Sequence, residues 1–292
     1  MRRRDCAFAL ATAPCWLSAA MGSPRTSSPS PARIVSVHGC LTEVIYLLRA
    51  ESQLVGTDTT STYPSAAQQT TKVGYMRSLS AEGLLALRPT AVLGTEEAGP
   101  PVVLAQLRQA GVPVQLTAAQ HRFEDVLSKV KAVGQATGRQ DQAAQLGADL
   151  ARRWRQTQQR VAQARALRHA RSAAAPRVLF LMAHGGTALT AGQDTGAHAV
   201  LDLLGVTNAL QGVRGYKPLN AESAAAAQAD IVLTTTESLA FLGGASRLWQ
   251  LPGLAHTPAA RHERLVALDA MGMLGFGPRM PAVLDELQRH LA

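Results

Sequence analysis

Cysteine is nearly absent: the chain of 292 residues has three, at positions 6, 15 and 40. Cys6 and Cys15 fall in a stretch that reads as an export signal, so the mature chain keeps Cys40 alone and cannot form an internal disulfide. Its stability must come from packing. Long apolar runs are also missing, and none approaches the roughly 18 to 20 residues that a membrane-spanning helix requires. Aromatics make up only 4% of the chain and charged residues 17%, while 47% is hydrophobic. That balance excludes disordered and collagen-like classes and leaves enough apolar side chain for one large core or two smaller ones.

The net charge of +9 looks at first like a nucleic-acid signal, but it is confined to two places. Residues 1–30 carry +3, and residues 139–171, with eight arginines against Asp141 and Asp149, carry +6. The remainder is balanced. A nucleic-acid surface interleaves basic residues with aromatics in a groove, whereas the arginine-rich stretch is rich in Gln and Ala and has Trp154 as its only aromatic. Arginines on a solvated helical face account for it, and nucleic acid is not an expected partner.

The N-terminus has the parts of a secretory signal: Arg2-Arg3-Arg4, an apolar stretch from Cys6 to Leu17, and small residues at Ser18-Ala19-Ala20. No lipobox leads to Cys15, so the expected form is a free periplasmic protein rather than a lipoprotein. The expected organisation is a signal over residues 1–22, a Ser/Pro-rich linker over 23–32, an α/β lobe over 33–123, a connecting helix with a basic tail over 124–175, and a second α/β lobe over 176–292.

Short β-branched runs alternate with helical periodicity. Strands are expected at 34–37, 54–56, 91–94 and 112–116, a helix at 102–109, and a long helical stretch at about 124–172. The strand pattern restarts at 177–182, 231–235 and 265–269. This alternation argues mainly parallel sheets. The halves also match each other. Leu79-Ser80-Ala81-Glu82 before Ala91-Val92-Leu93 returns 140 residues later as Leu219-Asn220-Ala221-Glu222 before Ile231-Val232-Leu233. The fold predicted is α/β, with two Rossmann-like lobes joined by one long helix and a ligand cleft between them. A single helical connection leaves little freedom for lobe motion.

The block Val73-Gly74-Tyr75-Met76-Arg77-Ser78-Leu79-Ser80-Ala81-Glu82, continuing to Arg88-Pro89, resembles the periplasmic haemin-binding proteins of bacterial haem-uptake ABC transporters, the HmuT type. The similarity runs from about residue 33 through Gly215-Tyr216-Lys217-Pro218-Leu219 and Gly275-Phe276-Gly277-Pro278-Arg279 to the C-terminus. Tyr75 precedes a helix start, on the rim where α/β folds present ligands, and a phenolate is a hard anionic donor suited to ferric iron. The resemblance implies Tyr75 as axial ligand of haem iron and Arg77 as its hydrogen-bonding partner. Tyr216 holds the corresponding position in the second half, with Lys217 able to meet a haem propionate. His184, Arg247 and Arg279 are further candidates for haem contacts. For Glu82 and Glu222, a first-turn glutamate is favoured by the helix dipole alone; the resemblance implies that both also dock into arginine pockets of an inner-membrane permease dimer. Haem would be taken from an outer-membrane receptor system and delivered to that permease and its ATPase.

Alternatives at this stage are another iron chelate, a corrinoid, or zinc held by His38, His184 and His198. A lobed enzyme is disfavoured. His184-Gly185-Gly186 has no Gly-x-Ser-x-Gly elbow to accompany it, and Gly275-Phe276-Gly277-Pro278 carries a proline where a dinucleotide loop starts its helix.

Overall fold

The computed structural model describes residues 32–184 and 187–291, with His184 described by its backbone alone. The expected signal and most of the linker lie outside the described residues.

The first lobe is built from β1 (Ile34–Ser36), α1 (Gly39–Leu47), β2 (Leu54–Thr57), α2 (Ala81–Ala86), β3 (Ala91–Thr95), α3 (Pro101–Gln109) and β4 (Val114–Thr117). Its sheet has the order β2-β1-β3-β4, all parallel. Val35, Val37 and Val92 share one fully buried cluster with Leu84 of α2 and Leu107 of α3, which is how an all-parallel sheet hides its face.

Two helices follow where the periodicity suggested one: α4 (Phe123–Thr137) and α5 (Gln140–Ala170). Gly138, at φ 69°, caps α4 in the left-handed conformation that glycine adopts without a Cβ penalty, and the chain turns there. The 31 residues of α5 span about 46 Å at 1.5 Å per residue. The arginine-rich stretch is its outer face and end. Several of these side chains are engaged: Arg160 pairs with Asp285, and Arg168 donates to the Leu204 and Gly205 carbonyls.

The second lobe comprises β5 (Arg177–His184), β6 (Thr187–Ala191), α6 (Gly196–Leu204), β7 (Thr207–Asn208), β8 (Tyr216–Pro218), α7 (Ala221–Ala226), β9 (Ile231–Thr235), α8 (Thr236–Leu242), α9 (Ala245–Trp249), α10 (Pro258–Arg261), β10 (Leu265–Leu268), α11 (Ala270–Leu274) and α12 (Met280–Leu291). The series β7-β5-β9-β10 is parallel and reproduces β2-β1-β3-β4, which bears out the internal repeat. β6 and β8 are additions, antiparallel to β5 and to β6 respectively, so the second sheet keeps the expected parallel core and adds an antiparallel flank.

One core runs through both lobes. It joins Ile34, Leu41 and Ile45 to Phe123, Val130 and Trp154, and these to Phe180, Val200, Phe276 and Leu284. Phe123 and Trp154 stack at 4.5 Å and 2°. Two cationic contacts rivet the junction. Lys129, buried on α4, donates to the carbonyls of Gly275 and Phe276 at 3.0 and 2.9 Å. Arg279 reaches Glu43 on α1 at 2.5 Å and Asp269 at 2.8 Å, with the Tyr63 ring over its guanidinium at 4.3 Å.

Arg279 is thus a structural side chain and not the free cation that a propionate contact requires. Glu43 is 3% exposed at its side chain. Burial pushes its carboxyl up, and the hydrogen bonds and charge of Arg279 work against that. Removing the guanidinium strands a buried carboxylate. Arg279→Met is expected to lose about 3 kcal/mol of unfolding free energy in a denaturant titration, and Glu43→Leu combined with Arg279→Met to recover most of it.

Candidate ligand cleft

The loops leaving the C-terminal ends of the parallel strands of both sheets converge between the lobes, the place where α/β folds bind ligands. His38 follows β1, Glu96–Gly99 follows β3, His121 lies beyond β4, Glu237 opens α8 after β9, and Asp269 follows β10.

Tyr75 is carried by a segment pinned to the end of β2. Val73 N–H donates to Thr57 O and Thr59 N–H to Gly74 O, each at 2.9 Å. The Lys72 ammonium grips the neighbouring loop through Thr57 Oγ1 and the Ser61 and Ala67 carbonyls at 2.9 to 3.1 Å. Gly74 adopts φ 95°, a left-handed conformation that favours glycine and redirects the chain just before the tyrosine. The next turn is closed by Ser78 N–H on Tyr75 O at 2.8 Å and anchored by buried Met76. The Tyr75 ring is left 38% exposed.

Arg77 lies on the same turn, yet its partner is not Tyr75. Its Nη2 pairs with Glu97 Oε1, and among the described residues no hydrogen bond joins it to the tyrosine. The two turns are locked to each other by Leu79 N–H on Gly99 O and Gly99 N–H on Met76 O, both at 2.9 Å. Glu97 was not anticipated as a site residue. Its place directly after the C-terminal end of a parallel strand was the available signal.

Tyr216 comes from the other lobe, and its setting differs from the expected turn. It starts the edge strand β8, in register with Ala191. Its ring is 39% exposed, while its hydroxyl is close enough to the first lobe to feel both Glu97 and Arg77. Desolvation of the hydroxyl and the Glu97 charge push its ionisation up, and Arg77 and the Ala197 N–H pull it partly back.

The floor between these groups is small and polar, lined among others by His38, Glu97, His121, Asp125, Lys129 and Phe276. The His121 ring meets Phe276 edge-on at 5.3 Å, and burial lowers its pKa. His38 caps α1, its Nδ1 accepting the Cys40 N–H at 3.2 Å, and burial lowers its pKa to about 3. It stays neutral and occupied. His198 lies inside α6 between Asn208 and Asp202. The three-histidine zinc arrangement is thus not assembled from His38 and His198, and among the described residues no group of three suitable ligands forms.

Of the other candidates, Lys217 lies exposed on β8 beside Tyr216, paired in register with Thr190. Arg247, on α9, bonds to Gln250 in its own turn at 3.4 Å, and among the described residues no hydrogen bond or ion pair joins it to Tyr75 or Tyr216. His184 ends β5 opposite Thr187, and its side chain lies outside the described residues. Glu82 and Glu222 are both exposed, each in the first turn of a six-residue helix, α2 and α7. Ser80 and Asn220 cap those helices through the N–H groups of Gly83 and Ser223.

Residues 34–271 match the family model described as periplasmic binding protein. The fold matches that of the periplasmic heme-binding protein BhuT in complex with two hemes at a TM-score of 0.82, with 43% identity over 90% of this chain and 98% of that one. The apo form of the periplasmic heme-binding protein RhuT from Roseiflexus sp. RS-1 matches at 0.81, with 38% identity over 90% and 98%. A periplasmic heme-binding protein from Pseudomonas aeruginosa matches at 0.80, with 40% identity over 90% and 93%. Two repeated α/β lobes on a shared core, a cleft at the strand ends and these similarities lead to one assignment: the chain belongs to the periplasmic binding protein family, whose members carry ligands rather than transform them.

Proposed function

We propose that this protein captures haem in the periplasm and delivers it to an inner-membrane ABC permease, with Tyr75 as the axial ligand of the ferric iron. The observation that supports this reading is the setting of Tyr75: an exposed phenol on a turn fastened by backbone hydrogen bonds, two residues from Arg77, whose charge also reaches Tyr216 of the other lobe. A phenolate gives Fe(III) a hard oxygen donor, and the iron's own charge favours loss of the phenolic proton. Arg77 supplies a second cation for the ligated oxygen. Lys217, exposed beside Tyr216, is the cation assigned to a propionate. The heme-bound BhuT similarity supports the choice of cargo.

The N-terminal basic and apolar stretch supports export to the periplasm, and an outer-membrane receptor system upstream completes the route. Glu82 and Glu222, repeated on both lobes, are the docking points for the permease.

Titrating the purified full-length mature protein with haemin is the direct test. The expected result is a ferric spectrum with the charge-transfer absorption of tyrosinate ligation, saturating at low micromolar haemin or below. Cyanocobalamin and zinc chloride, added at the same concentrations, are expected to leave the protein unliganded. Tight binding of either, with no haemin spectrum, would overturn the reading.

A further inference from the structure

Arg77 serves one carboxylate already. Its guanidinium is paired with Glu97, and the turns that carry the two residues are fastened to each other by backbone hydrogen bonds. Neither turn has to move for the pair to part, because rotation of the exposed Arg77 side chain, 55% accessible, is enough. Glu97 also lines the cleft floor together with buried Asp125, and its charge is felt by Tyr216 and His121 as well as by buried Lys129.

We infer that Glu97 is a positioning residue that competes with the bound ligand for Arg77, holding the guanidinium neutralised and away from Tyr75 until a ligated phenolate displaces it. The inference rests on the haem reading of the Tyr75–Arg77 turn and adds a residue to it. Its physical basis is that a guanidinium fork satisfies one carboxylate or one phenolate well, not both at full strength. Ligand binding therefore includes the cost of separating Arg77 from Glu97.

The test uses the full mature chain, with haemin as probe, in a cycle of Glu97→Gln, Arg77→Ala and the double variant. A partly exposed ion pair is worth up to about 1 kcal/mol, which corresponds to about fivefold in affinity. Glu97→Gln is expected to bind haemin about fivefold more tightly with the tyrosinate charge-transfer band retained. In the Arg77→Ala background the same substitution is expected to change affinity by less than about twofold, because the partner it acts through is gone. Unchanged or weaker binding in Glu97→Gln would overturn the inference, as would equal tightening with and without Arg77, which would mean that Glu97 acts on haem directly. Failure of the underlying reading looks different: wild-type protein would then show no tyrosinate band, whatever Glu97 does.

Discussion

Tyr75→Phe is expected to abolish the tyrosinate charge-transfer absorption of the haemin complex and to weaken haemin binding on the order of 100-fold, the equivalent of about 3 kcal/mol. The substitution removes one oxygen and keeps the ring. The turn beneath it is held by backbone hydrogen bonds of Thr57, Thr59, Gly74 and Met76, which do not involve the hydroxyl, so the fold should be retained. What remains for haem is apolar contact, the propionate-directed cations and Tyr216. Tyr216 is a poor substitute in the free protein, since desolvation and the Glu97 carboxylate both oppose its ionisation. The spectrum is the deciding measurement. A phenylalanine variant that keeps the wild-type band would transfer the ligand role to Tyr216, and one that keeps the wild-type affinity without the band would show that coordination contributes little.

The legible parts of the fold were those encoded locally. Ser80 and Asn220 announce helix starts because a short polar side chain can satisfy a first-turn N–H only there, and the 140-residue repeat of these caps and of the following strand located two equivalent lobes. The break between α4 and α5 was missed because helical periodicity continues across Gly138 and Arg139, and only the left-handed glycine marks it. β6 and β8 were missed because Thr187–Ala191 and Tyr216–Pro218 are short, and their pairing is decided by neighbours distant in sequence.

The site divides in the same way. Tyr75 was legible from its block, but the partners of its neighbours were not. Arg77 pairs with a glutamate 20 residues on, and Arg279 with one 236 residues back. The family resemblance implied a ligand role for Arg77, and residue type made Arg279 a candidate. The packed chain gives one of them a buried partner, 3% exposed, and the other a partner that is about a third exposed. An arginine's availability is set by which carboxylate the tertiary fold brings to it, and no local pattern records that.

The double variant Glu82→Lys, Glu222→Lys is expected to keep haemin affinity and to abolish haem uptake. Both glutamates are exposed in the first turns of α2 and α7, where the helix dipole favours a negative charge by typically 0.3 to 1 kcal/mol. Reversal at both should therefore lower unfolding free energy by about 1 to 3 kcal/mol, leaving the protein folded. The capping bonds from Ser80 and Asn220 do not involve the glutamates and persist. Neither residue belongs to the loops that frame Tyr75, Glu97 and Tyr216, so the haemin spectrum should match wild type. The effect appears when the loaded protein meets its permease. Two lysines presented to cationic pockets turn an attractive encounter into a repulsive one at both lobes, and like-charge juxtaposition of this kind costs several kcal/mol. Uptake of haemin into vesicles carrying the transporter, or stimulation of its ATPase, should fall to background with the double variant, and a single reversal should give an intermediate loss. If the haem-loaded double variant supports uptake at the wild-type rate, the repeated glutamates are helix-terminal charges retained by both halves, and docking lies elsewhere on the lobes.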